Sequence, residues 1–423
     1  MFGCSRTVLV AAAVVLAAGA AAAPAAALGT RTVFVSSSQE FNRAALAMRD
    51  SGGRIVLLPH DYADPLFLTR RSAHPLTVVG TQGARVQTID VIHAQRIRFE
   101  RLRIGPVTGD AGMEVWRSTQ IVLDRLTVSA RHTRFRVEVN LDHSNDVQVQ
   151  RSDFSHCGDR SPEWSLCLLP NRASHVVVED NRFHDCRGCD FIHGRAGKGL
   201  TIRDNRFARA LPCHHGWEKC HHQDMIELFA ADGLLVARNR FGLYHRGGAQ
   251  LYMTGLVDHV RVVNNLFHRR DSRVPGVHSR VGILIGTRAT PNLPRDVEVV
   301  NNTILAGTGR RGQAPSSIVV SPYYRFQPVD MRPLIANNVL ARATDPSLMC
   351  LGVRSVRNVV IRGAACSPSD AAGLAYLDPH GRPTSASFLL IDQADPALAP
   401  AADLIGQLRD SAPDIGAFEY VPR

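Results

Sequence analysis

"VVVEDNRF" (176–183) and "LTIRDNRF" (200–207) are two copies of one pattern. Further copies follow: "LLVARNRF" (234–241), "VRVVNNLF" (260–267), "VEVVNNTI" (297–304) and "PLIANNVL" (333–340). Each has strand-forming residues, then an Asn, then an apolar residue two places on. The Asn column is Asn181, Asn205, Asn239, Asn265, Asn302 and Asn338; the apolar column is Phe183, Phe207, Phe241, Phe267, Ile304 and Leu340. Weaker copies run upstream at 147–154, 121–128 and 97–104.

The Asn residues are 24, 34, 26, 37 and 36 positions apart. A unit of just over twenty residues, lengthened by loops, fits a coil of short strands. Each strand sends alternate residues inward and pairs with the coils on either side. Asn suits the corner, because it tolerates left-handed backbone angles and can stack its amide on the next Asn. A single repeat cannot bury its own apolar face, but a stack can. The spacing predicts an all-β fold, a single parallel β-helix.

At these residues the chain resembles secreted bacterial right-handed parallel β-helix proteins of the pectate-lyase-like class, which implies a single right-handed coil (β-solenoid). "PDIGAFEY" (413–420), preceded by "DLIGQLRD" (403–410), is similar to the C-terminal ending of many such proteins. The repeat resemblance covers roughly 76–366. It implies a fold that hosts lyases, hydrolases, epimerases and binding proteins, so the reaction must be argued from the site. The expected organisation is a signal peptide (1–27), a cap with first strands (28–75), the repeats (76–366) and a C-terminal capping tail (367–423).

The ends agree with this organisation. Arg6, an apolar core and "AAA" at 25–27 form an export signal with cleavage near Ala27. No later stretch is long and apolar enough to span a bilayer. "SSQEFNRAALAMRD" (37–50) predicts a helix with Ser37 and Glu40 in a capping box and Phe41, Ala44, Ala45 and Met48 as its apolar stripe. "GGRIVLLPHDY" (52–62) follows as a first strand, and "DIGAFEY" is expected to be a final one.

Without the signal, eight cysteines remain: Cys157, Cys167, Cys186, Cys189, Cys213, Cys220, Cys350 and Cys366. An even number in an exported chain reads as disulfides, with Cys213–Cys220 and Cys350–Cys366 as the expected pairs. "CHHGWEKCHH" (213–222) carries zinc-type ligands, but its spacing favours a closed loop over a metal. The net charge of +11 becomes +10 once Arg6 leaves with the signal. That balance fits an acidic polysaccharide as partner, or simply an Arg-rich composition. No nucleic-acid-binding motif is present.

Counting thirteen positions back from each corner gives an inward column of Met113, Val139, Leu168, Ile192, Ile226 and Tyr252. The next residue points outward: Glu114, Asn140, Leu169, His193, Glu227 and Met253. His193 and Glu227 then become neighbours about 4.8 Å apart on one outer face. His222 lies on the entry loop, and Asp190, Asp224 and Gln250 lie near the strand starts. "HQDMIE" (222–227) also resembles an H-x-D-x-I-Q pattern of β-helix proteins, with Glu for Gln.

A lyase acting on a uronate needs a base and a cation. His193 or His222 could be the base, with Glu227 in the same group. Arg195, Lys198 or Arg246 could neutralise the substrate carboxylate, or Ca²⁺ on Asp190, Asp224 and Glu227 could do so. Trp217, Arg246, Gln250 and Tyr252 are candidate substrate contacts, with Trp164, "GTGRRGQ" (307–313) and "YYRF" (323–326) as a rim. A hydrolase would draw its two carboxylates from Asp190, Asp224 and Glu227. An epimerase would share the proton abstraction. A polysaccharide-binding protein would need no convergence of these groups: the acids would hold backbone, and His193 with Glu227 would be an ordinary surface pair. A monomer is expected.

Overall fold

A computed structural model describes residues 31–105, 111–129, 137–157, 165–210, 224–242, 248–268, 281–287, 292–305, 316–341 and 350–422. Each coil lays down three short strands. Ile89–Ile92, Ala111–Trp116 and Val137–Asp142 stack in parallel as one row. Gln95–Glu100, Thr119–Asp124 and Asn145–Gln150 form a second row. Arg103–Ile104, Thr127–Ser129 and Asp153–Ser155 form a third. The first two rows join through long strands, such as Ala249–Val263, into a sheet of 21 strands among the described residues; the third row forms one of 13. The fold is a parallel β-helix.

The inward residues make one continuous core. Phe154, Phe183, Phe207, Phe241 and Phe267 stack face to face, with ring centroids 4.4–5.1 Å apart. The Asn column forms a buried ladder. Each Asn backbone N–H and side-chain Nδ2 donate to Oδ1 of the next Asn, at 2.8–3.1 Å from Asn181 through Asn338. The ladder runs one copy further than the sequence alignment, to Asn358, and ends where Asp370 accepts the Asn358 N–H.

The left-handed residue is the one before each Asn. Asp180, Asp204, Arg238, Asn264, Asn301, Asn337 and Arg357 have φ of 50–59°, while the ladder Asn residues do not have positive φ. The ladder Asn is therefore selected for its paired amide rather than for its backbone angle. Asn239→Ala is expected to cost about 2–4 kcal/mol, because the Asn205 N–H and the Ile202 carbonyl lose their buried partner. A denaturant midpoint equal to wild type would contradict this.

At the N-terminal end, helix Ser38–Ala47 covers the first coil with Phe41, Ala44, Ala45 and Met48 buried. Ser37 Oγ accepts the Glu40 N–H at 3.2 Å, but the Glu40 carboxylate returns to Ser36 rather than to Ser37. A strand that the sequence reading passed over, Thr32–Val35, pairs with Gly53–Leu57 ahead of it.

The tail corrects a second expectation. "DIGAFEY" is not a strand. The tail runs along the flank of the coils, held by the first Asn of each Asn-Asn pair. Asn264 Nδ2 donates to Ala402 O at 2.6 Å, Asn301 Nδ2 to Asp414 O at 2.9 Å and Asn337 Nδ2 to Asp395 O at 3.0 Å. Ile415, Ala417 and Phe418 are buried against the third row. Cys157–Cys167, Cys186–Cys189 and Cys350–Cys366 are disulfides; Cys213 and Cys220 lie outside the described residues. Among the described residues no helix is long and apolar enough to cross a membrane.

Candidate functional site

Strand register places one outward column along the first row: Phe67, Asp90, Glu114, Asn140, Leu169, then His193, Glu227 and Tyr252. His193 pairs with Glu227 as the repeat spacing predicts. Tyr252 does not lie in the inward column. Leu251 takes that position opposite Ile226, Met253 is buried, and Tyr252 stands outward beside Glu227. The cause is a bulge: Leu228 pairs with Met253 but Ala230 pairs with Leu256, so the strand Ala249–Val263 holds one extra residue. Gly255 accommodates it at φ 70°, where a Cβ would come within 2.6 Å of the Phe229 carbonyl. A glycine inside a strand pattern is the signal that could have corrected the count.

The centre of the site is a trio. His193 Nδ1 is 2.8 Å from Asp190 Oδ2 and 3.1 Å from Glu227 Oε2. Asp190 is 5% exposed, His193 8% and Glu227 1%, so this is no ordinary surface pair. Burial alone would disfavour a charged imidazole, but the hydrogen bonds and charges of Asp190 and Glu227 outweigh it and push His193 up to about 10. At neutral pH His193 is an imidazolium. In that form it supplies positive charge rather than a free base, where the sequence reading offered it as the base. The Phe229 ring packs edge-on against it at 5.1 Å.

The sign of the linkage follows from that shift. The folded-state value lies above the ordinary 6.5, so the His193 contribution to stability is complete below about 6.5 and disappears as pH rises through about 10. Wild type is expected to lose stability across that window relative to His193→Gln. Parallel pH–stability curves for the two proteins would refute the ion pair.

The strand-start acids hold backbone. Asp190 Oδ1 accepts the Asp224 N–H at 2.6 Å, and Asp224 Oδ1 accepts the Ala249 N–H, so each caps the start of the next coil. Of the expected calcium ligands, Asp190 and Glu227 come together, and with His193 they form a group whose ligand atoms lie close enough to hold a metal ion. Asp190 Oδ1 and Asp224 Oδ1 are engaged by backbone N–H groups. Gln250 is buried, with Nε2 donating to the Gly242 carbonyl at 3.1 Å.

Tyr252 is half-buried, and its hydroxyl hydrogen-bonds Thr254 and Thr287. Burial first, then the nearby charges of Glu227 and Asp224, raise its pKa, so it rests as a phenol. Arg195 is exposed two positions after His193. Lys198 is exposed further along, opposite Asp232 and outside the trio's column. His222, Trp217, Arg246, Trp164 and residues 307–313 lie outside the described residues. "YYRF" forms a 3-10 helix at Pro322–Phe326.

No protein-family model matches the chain, and no curated protein does. Several solved structures are similar in shape. Pectate lyase Pel9A is 15% identical with a TM-score of 0.43, over 92% of this chain and 96% of its own. The PL6 family polysaccharide lyase of Pseudopedobacter saltans is 14% identical with a TM-score of 0.47, over 84% and 97%. An alginate lyase of Paenibacillus is 11% identical with a TM-score of 0.43, over 69% and 98%. These are likenesses of a long parallel coil, and the functional reading rests on this chain's own residues.

Proposed function

We propose that the chain is an exported enzyme that cleaves an acidic, uronate-containing polysaccharide by β-elimination, working as a monomer. The observation that carries this is the buried Asp190–His193–Glu227 trio on the outer face, continued by Tyr252. Burying three ionisable groups together is costly, and a merely structural coil has little need of them. The leader and the disulfides support export.

The polymer lies across the coils along this column. Arg195 pairs with the substrate carboxylate, and the fixed charge of His193 favours the negative charge that develops in the transition state. Glu227, in register between His193 and Tyr252, accepts the proton beside the carboxylate. Tyr252, protonated at rest, donates to the departing glycosidic oxygen. A glycoside hydrolase is less well supported. It needs two carboxylates facing each other across the sugar, whereas Asp190 and Glu227 both bind the same imidazole nitrogen.

The test is a product assay on alginate, pectate, hyaluronan, chondroitin and gellan. Ultraviolet absorbance of unsaturated uronate and reducing ends are followed together. Both signals rising supports elimination, and reducing ends without absorbance indicate hydrolysis. Binding without either product returns the chain to a non-catalytic polysaccharide-binding role.

A further inference from the structure

One edge of the outer face carries a run of basic side chains. Five consecutive coils contribute His93, Arg117, His143, Arg172 and Arg195 where the first row passes into the second. Backbone hydrogen bonds fix the stacking. The N–H of His93 donates to Trp116 O, that of Arg117 to Asp142 O, that of His143 to Asn171 O and that of Arg172 to Arg195 O. Successive members therefore lie about 4.8 Å apart along the coil axis. The first four stand three residues beyond Asp90, Glu114, Asn140 and Leu169 of the site's outward column, and Arg195 stands two beyond His193. The run leads from the N-terminal coils directly to the trio.

The arginines of this run are not spent on acids. Arg117, Arg172 and Arg195 are exposed, and none has a carboxylate within ion-pair distance among the described residues. Arg117 lies over the Trp116 ring, 4.7 Å from its centroid, and Arg172 Nη1 donates to His143 Nε2 at 3.3 Å. His143 is itself 2.8 Å from Asp142. The arginines of the next corner differ. Arg101 and Arg125 lie 3.7 and 3.3 Å from Glu100, and Arg151 lies 2.8 Å from Asp124. An Arg-rich composition does not account for this contrast. The coil neutralises its arginines at one corner and presents them to solvent at the corner beside the site.

We infer that this edge is a track for the carboxylates of a long uronate chain, extending the proposed site toward the N-terminal coils. The inference rests on the proposed polysaccharide function. Arg195 and Arg117 are three coil steps apart, about 14 Å, so a chain held at the trio reaches Arg117 only with several further sugars. The middle of the same face is acidic, at Asp90 and Glu114, which are register partners. Sugar hydroxyls donate to those carboxylates while the sugar's own carboxylates turn to the arginines at the edge. A chain of phosphates has no such donors and would set its charge against Asp90 and Glu114.

The probes are the disaccharides and octasaccharides of galacturonate and of mannuronate, with binding to the intact protein read by isothermal titration. Wild type is expected to hold an octasaccharide more tightly than its disaccharide. Arg117→Gln/Arg172→Gln is expected to weaken the octasaccharide about three- to tenfold, the worth of two exposed ion pairs, and to leave the disaccharide unchanged. Arg101→Gln/Arg125→Gln makes the same charge change at the other corner and is expected to bind as wild type does. Melting temperatures verify the fold of both variants. Wild-type octasaccharide affinity in the first variant overturns the track, as does an equal loss in the second, which would assign the effect to net charge. Failure of wild type to bind any octasaccharide overturns it too. Inorganic polyphosphate held as tightly as the octasaccharide, and weakened as much by the first variant, overturns the uronate assignment. The expected binding losses without any unsaturated product from wild type would uphold the track and overturn the elimination chemistry.

Discussion

Glu227→Gln is expected to lower the rate of uronate elimination by about 10²–10⁴-fold, the usual worth of a positioned acid–base group. The amide keeps the shape of the side chain but loses the proton acceptor. It also leaves His193 with Asp190 as its one carboxylate partner in the trio. KM should change little, because Arg195 and the outer face that hold the polymer are untouched. Tyr252→Phe should reduce kcat to a similar degree by removing the proton donor, while Glu227 keeps its register partner. Absorbance assays on the two variants, with melting temperatures as a control for folding, decide the matter. Wild-type rates in both would remove the column from the chemistry.

Arg409→Met is expected to destabilise the protein by about 3–5 kcal/mol, the cost of leaving a buried charge without its partner. The Arg409 side chain is 2% exposed and lies 2.7 Å from Glu419, itself buried by the same tail. Its guanidinium also donates to Gly416 O at 2.7 Å and to Asn264 Oδ1 at 3.1 Å, so one residue ties the tail to itself and to a coil corner. Arg409→Met/Glu419→Leu should recover most of the loss, since an apolar pair leaves no orphaned charge. Thermal melts of wild type, single and double variants test both statements. A single variant as stable as wild type would show that the tail contributes nothing to the coil.

The physics of repetition explains what could be read early. A solenoid uses the same contact at every coil, so the Phe and Asn columns are visible as soon as a few copies are aligned. The pairing of His193 with Glu227 followed from the same spacing, because between those two coils the irregularities cancel. They do not cancel one coil later. Gly255 adds a residue, and because strand side chains alternate with period two, a slip of one moved Tyr252 from the core to the site and Met253 the other way.

The sequence by itself determined the coil, its buried columns and the face on which polar groups gather, since these depend on local periodicity repeated many times. Only the tertiary structure decided which polar groups meet. The charge of His193 is set by two carboxylates, one three positions away and one on the next coil, in a buried setting that no local pattern encodes. The tail's attachment depends on corner residues more than a hundred positions upstream. Tyr252 stands on the outer face because one glycine in the left-handed region, three positions further on, lets its strand take an extra residue. Such encounters are governed by three-dimensional packing and charge compensation, which act between residues that share no period in the chain.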